Sequence, residues 1–92
     1  MTQNNQKTIN PHELAEFFET QIKKTVAEKF SVTTEELTLL LQDKEGVYLS
    51  REKPDTLCCL VVGQGNGFLY LVTARIEEDG NSLTDFKTDI VS

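Results

Sequence analysis

Leu57-Cys58-Cys59-Leu60-Val61-Val62, then Gly63-Gln64-Gly65-Asn66-Gly67, then Phe68-Leu69-Tyr70-Leu71-Val72-Thr73-Ala74-Arg75-Ile76 is the stretch that decides the fold. Two runs rich in β-branched and aromatic residues flank a glycine loop, the mark of paired antiparallel strands. With Gly63 opposite Gly67 around a three-residue loop, Val62 falls opposite Phe68, Leu60 opposite Tyr70 and Cys58 opposite Val72, all on one face. Val61 then falls opposite Leu69, Cys59 opposite Leu71 and Leu57 opposite Thr73 on the other. Both faces of this hairpin are apolar. A one-residue slip exchanges the faces of one strand and leaves that conclusion intact.

Upstream, Asn10-Pro11-His12-Glu13-Leu14 reads as a helix start. Asn10 caps free N–H groups, Pro11 takes the first helical position, Glu13 completes a capping box, and Ile9 with Leu14 forms a staple. The polar residues 1–8 before it read as frayed and disordered. Leu14, Phe18, Ile22, Val26 and Phe30 recur every four residues, which predicts one long helix over about 11–30 with a broad apolar stripe. Glu19 and Lys23 form an i,i+4 ion pair on it.

Residues 31–46 read two ways. Thr33-Thr34-Glu35-Glu36 is a second capping box, and Leu37, Leu40 and Leu41 fall at helical spacing, which favours a short second helix over about 34–42. Leu37-Thr38-Leu39-Leu40-Leu41 is also a plausible short buried strand. Beyond it, strands are expected at about 47–51, 57–63, 67–77 and 83–91, separated by turns at Glu52–Thr56 and Glu77–Ser82. In the last strand Thr84, Phe86, Thr88 and Ile90 point one way, and Asp85, Lys87 and Asp89 the other, as suits an edge.

The result is a single α+β domain spanning 1–92: a long helix packed on one face of a four-stranded antiparallel meander. One helix followed by four strands is similar to the cystatin-like arrangement, a likeness of element order that transfers no function. Ile22 to Leu37 also resembles the first helix and loop of an acyl carrier protein, with Asp79-Gly80-Asn81-Ser82-Leu83 standing for the segment that bears the carrier's prosthetic group. The match fails on spacing. About forty strand-rich residues separate the two pieces, Ser82 follows Asn81 rather than an aspartate, and both pieces have ordinary explanations as a helix cap and a hairpin turn.

The chain has 92 residues, a net charge of −6 and 15 acidic side chains. That balance argues against nucleic acid and against an anionic membrane surface as partners, since both select basic stripes. The acidity is concentrated late: Glu77, Glu78, Asp79, Asp85 and Asp89 stand against Lys87 alone. Met1–Asn10 lacks the basic and apolar regions of a secretion signal, and two cysteines suit reduced thiols, so a cytoplasmic location is expected.

The residues imply no catalytic group, cofactor or metal. Gly63–Gly67 is dense enough for a phosphate loop, but a strand and not a helix comes after it, and Asn66-Gly67 is a turn dipeptide. Cys58 and Cys59 are adjacent in a strand and point to opposite faces, so they share neither a disulfide nor a metal, and they read as buried thiols acting as small hydrophobes; the alternative is a reactive Cys59. His12, the single histidine, sits in the first helical turn, remote from both cysteines.

The functional expectation rests on the second apolar face. If the helix covers one side, the other leaves ~300–500 Å² bare, worth roughly 7–12 kcal/mol of burial at ~25 cal/mol per Å². The leucines of 34–42 cover it if they form a helix. Otherwise a second copy or another protein does. The expected function is a small acidic, non-catalytic binding or regulatory protein acting by protein–protein contact, as a homodimer, through Leu57, Cys59, Val61, Leu69 and Leu71. One alternative is a small-ligand or enzymatic pocket between helix and sheet, with Tyr48 and Tyr70 as polar handles. Another is an acidic decoy for a nucleic-acid-binding protein, through Glu77, Glu78, Asp79, Asp85 and Asp89.

Overall fold

A computed structural model describes residues 10–92. The expectations of a frayed segment over 1–8 and of a staple at Ile9 lie outside the described residues. Asn10 caps the first helix as its side-chain oxygen accepts from the backbone N–H groups of His12 and Glu13, at 3.0 and 3.3 Å. The single long helix expected over about 11–30 is divided in two, α1 (Pro11–Phe17) and α2 (Glu19–Phe30), at Phe18, where ψ turns to 19°. Backbone hydrogen bonds from Phe18 to Leu14 and from Ile22 to Phe18 carry the helix through this joint. The Glu19–Lys23 pair forms at 3.0 Å. Ser31 ends α2 in the left-handed region.

Residues 34–42 form no second helix. Thr33 and Glu36 do make the expected capping box, but it caps only one 3-10 turn, Thr34–Glu36. Leu37–Leu39 then extends as β1, with Leu37 and Leu39 buried and Thr38 between them less so. The physical reason is the free edge beside it. Paired with β3 (Thr56–Gly63), two of these leucines enter the core and three residues gain ladder bonds, whereas a helix here would need a second apolar layer to lie on.

The sheet therefore has five strands and not four. β2 (Val47–Leu49), β4 (Leu69–Ile76) and β5 (Leu83–Ile90) complete it, all pairings antiparallel. β1 and β2 both pair with β3, β1 at Val61–Gly63 and β2 at Leu57–Cys59, so they act as one edge strand interrupted by residues 40–46. That excursion is pinched at its neck. The Leu40 N–H donates to the Leu60 carbonyl, and the Leu60 N–H donates to the Gly46 carbonyl. A Cβ on Gly46 would overlap the Leu40 carbonyl oxygen and lie 2.7 Å from the Leu40 Cβ. Gly46→Ala is expected to cost about 1–3 kcal/mol, as overpacking does, with a lower urea midpoint at unchanged slope.

The hairpin closes around four residues. The Gly63 N–H donates to the Phe68 carbonyl and the Gly67 N–H to the Gly63 carbonyl, both at 2.8 Å. Asn66 accepts from the Phe68 N–H and donates to the Tyr70 hydroxyl. Gly67 supplies φ +72°, which an L side chain resists. The register consequently stands one residue from the three-residue expectation: Val62 faces Leu69, Leu60 faces Leu71, Cys58 faces Thr73, and Thr56 faces Arg75.

β5 carries a bulge. Thr73 pairs with Lys87 but Arg75 with Thr84, so Asp85 and Phe86 both stand opposite Ala74, and Asp85 adopts φ +58°. This is the left-handed first position of a bulge that glycine usually fills. The extra residue reverses the alternation. Leu83, and not Thr84, joins Phe86 and Thr88 toward the core.

Both helices pack on one face. The core between them and the sheet holds Ile22 and Val26 against Leu57, Val61, Tyr70 and Val72, all at most 1 % exposed. α2 also guards the free edge. Its Lys29 ammonium donates to the Thr88 carbonyl at 2.7 Å and sits 3.5 Å from Asp89, a charged cap on a strand that otherwise invites pairing. Thr88 itself is buried with its hydroxyl unpartnered among the described residues. A buried hydroxyl without a partner costs about 1–3 kcal/mol. The isostere Thr88→Val is therefore expected to raise stability by about 1 kcal/mol, visible as a melting shift of roughly 4–8 °C.

Candidate functional site

The pleat sends alternate residues of each strand to opposite faces, and the register sorts the apolar ones. Leu57, Cys59 and Val61 lie on the helix-covered face and are no more than 1 % exposed. Leu69 and Leu71 lie on the outer face and are half-buried. The five expected contact residues are therefore split between two faces, three of them in the core. The slipped register is the reason: it leaves β4 as expected and exchanges the faces of β3.

The outer face is apolar all the same. Leu60 stands opposite Leu71 and Val62 opposite Leu69, a square of four half-buried side chains. Among the described residues no helix or strand lies over it. Its borders are mixed: Leu40 continues it beside Leu60 and exposed Val91 beside Leu69, while the other neighbours are polar or charged. Thr38 adjoins Val62 on one side and takes a 2.6 Å hydrogen bond from the Gln64 amide. Asp89 adjoins Leu71 on the other. Below it runs the row Tyr48, Cys58, Thr73, Lys87. Leu60 and Val62 are the residues that sequence reasoning assigned to the covered side. A signal for them exists in the chain: Thr56 and Arg75, each polar at a strand end, mark the outward series once they are set opposite each other.

The two thiols part as their adjacency requires. Cys59 lies under the helices, and burial pushes its pKa up to about 12, with the Cys58 thiol adding to the rise. A thiol so held is protonated at neutral pH, and Cys59 sits in the core as the small buried hydrophobe expected of it and not as the alternative reactive thiol. Cys58 lies on the outer face beside Tyr48. Burial raises its pKa, while a hydrogen bond with the Tyr48 side chain opposes the rise. Burial also raises Tyr48, and the neighbouring Cys58 adds to it.

The two tyrosines do not converge on a ligand. Tyr70 is core, its ring 5.0 Å from that of Phe30 and its hydroxyl taken by Asn66. Tyr48 is exposed on the opposite side of the sheet. The acidic residues are likewise dispersed. Glu77, Glu78 and Asp79 occupy the β4–β5 turn, where Glu77 accepts from the Thr84 hydroxyl and Asp79 from the Ser82 hydroxyl and the Asn81 N–H. Asp85 sits in the bulge, and Asp89 near the far end of β5 faces Lys29. Lys87 and Arg75 interleave with them.

Among the described residues no group of three or more His, Cys, Asp or Glu is placed to hold a metal ion, and no helix is long and apolar enough to cross a membrane. Comparison with known protein families, with curated proteins and with solved structures finds no match to this chain.

Proposed function

We propose that this is a small acidic, non-catalytic binding or regulatory protein that works by protein–protein contact through the outer face of its sheet. One observation carries the reading: Leu60, Val62, Leu69 and Leu71 form a contiguous apolar square on a face that no helix covers among the described residues. Such patches on soluble proteins mark interaction surfaces. The two edges support it by exclusion. The β5 edge is capped by Lys29 and bent by its bulge. The opposite edge is cut into two three-residue strands. Strand addition is thereby disfavoured at both sides, which leaves the face.

Carbene footprinting tests this, since it labels any accessible side chain. Labelling of the four square residues in living cells is expected to fall several-fold below that of the dilute purified chain, with Phe17 labelled alike in both. Equal labelling of the square in the two settings would defeat the reading.

A further inference from the structure

We infer that the groove between α2 and β5 is a binding site for a small neutral polyol, a sugar or sugar-like molecule, whose hydroxyl groups pair with the buried hydroxyl of Thr88. The site lies on the helix side of the sheet. It is independent of what meets the Leu60–Val62–Leu69–Leu71 square on the other side.

Two observations meet at Thr88. The residue is 3 % exposed, and its hydroxyl is closed to solvent with no hydrogen-bond partner among the described residues. With Phe86 it also forms the β5 wall of a groove whose other wall is Gln21, Thr25, Glu28 and Lys29 of α2. This open groove, of about 630 Å³, falls in the size range of small-ligand pockets. A buried hydroxyl ordinarily finds a partner, and one that has none calls for an explanation. Folding does not supply it, since the valine isostere is expected to be the more stable chain. Lys29 spans the groove to reach the Thr88 carbonyl at 2.7 Å. Its side chain is 53 % exposed, and its displacement by an occupant opens the way to the hydroxyl.

The lining selects against charge. An anion would meet the carboxylates of Glu28 and Asp89, and a cation would meet Lys29, with Lys87 beside it. Two lysines and two acids leave the lining without net charge, and Lys29 already has Asp89 at 3.5 Å. The groove offers paired hydrogen-bond capacity instead. The Gln21 amide both donates and accepts. The Thr25 hydroxyl donates to the Gln21 carbonyl at 2.9 Å, which leaves its lone pairs to accept. The Thr88 hydroxyl has both capacities free. A ligand hydroxyl donates and accepts at one atom, so a molecule carrying several of them matches this lining. Half-buried Phe86 adds an aromatic surface for the C–H face of a ring.

Amide NMR of the isotope-labelled full chain tests the site, titrated with three probes that share one ring: glucose, glucuronate and protonated glucosamine. Glucose is expected to shift the signals of Gln21, Thr25, Phe86 and Thr88 saturably, with dissociation in the millimolar range and more tightly than either charged analogue. Thr88→Val is expected to keep the fold and to weaken binding about 10-fold, the worth of its hydrogen bonds. Gln21→Ala, on the exposed surface of α2, keeps the test valid if the valine variant does not fold, and is expected to weaken binding several-fold. If glucose, galactose and mannose all fail to shift these four residues saturably, the groove holds water only and the proposal is overturned. Tighter binding of glucuronate or glucosamine overturns it as well, because the site then selects charge. Unchanged glucose affinity in folded Thr88→Val overturns it too, because the buried hydroxyl then takes no part.

Discussion

Tyr70→Ala is expected to lower the stability of this protein by about 3–5 kcal/mol. Tyr70 is the largest fully buried side chain. It lies on the covered face of β4, opposite Val61, with its ring 5.0 Å from Phe30 of α2 and 6.2 Å from Phe68. Truncation to the β-carbon leaves a cavity at the point where helix, sheet and hairpin loop meet. A small domain holds about 5–15 kcal/mol in total, so the variant is expected to be partly unfolded at 37 °C. Tyr70→Phe separates the two roles of the side chain. It keeps the ring and removes only the hydrogen bond from Asn66, for an expected loss of about 0.5–1.5 kcal/mol. Equilibrium denaturation of both variants measures this. If Tyr70→Phe is as damaging as Tyr70→Ala, the bond to the loop stabilises the fold more than ring packing does.

Raising the pH from 9 toward 12 is expected to destabilise the fold by up to about 4 kcal/mol through Cys59 alone, at 1.36 kcal/mol per unit. The ordinary thiol value is 9.0 and burial lifts Cys59 to about 12. Below pH 9 the thiol is protonated in folded and unfolded chains alike, and it contributes nothing to the pH dependence. Above pH 9 the unfolded chain ionises while the folded chain keeps its proton. The unfolded state then binds fewer protons, so stability falls as pH rises. The loss saturates once the folded thiol also ionises, near 12. Cys58 and Tyr48, both raised, act with the same sign. Cys59→Val is expected to flatten the alkaline limb of the stability profile while leaving stability near neutral pH within about 1.5 kcal/mol. An alkaline limb equally steep in Cys59→Val would assign the effect to other groups.

How far the fold was legible depends on which signals were local. The Asn10 cap and the Glu19–Lys23 pair are decided within a turn or two and form as expected; the four-residue spacing from Leu14 to Phe30 gives helix on both sides of Phe18, where the expected single helix divides. The capping box at Thr33–Glu36 is equally local and also forms. The leucine segment after it is a different case. Leu37 and Leu39 suit a helix or a strand by periodicity, and the free edge of β3, some twenty residues later in the chain, decides between them.

The same division runs through the candidate site. That the central hairpin is apolar on both faces comes from composition and alternation alone, whatever the register, and so does the opposition of Cys58 to Cys59. The membership of the outer face does not. It hangs on whether the glycine loop closes around three residues or four. The Asn66 side chain, bonded to the Phe68 N–H and the Tyr70 hydroxyl, and the packing of Tyr70 beneath Phe30 favour the longer loop. By itself the amino-acid sequence determined most of the elements, their order and the apolar character of both hairpin faces, because these depend on near neighbours and on counting apolar side chains. The tertiary structure alone decided β1, the register, the β5 bulge and the identity of Leu60 and Val62 as surface residues, because a single-residue shift between strands costs little locally and is settled only by what packs across the sheet.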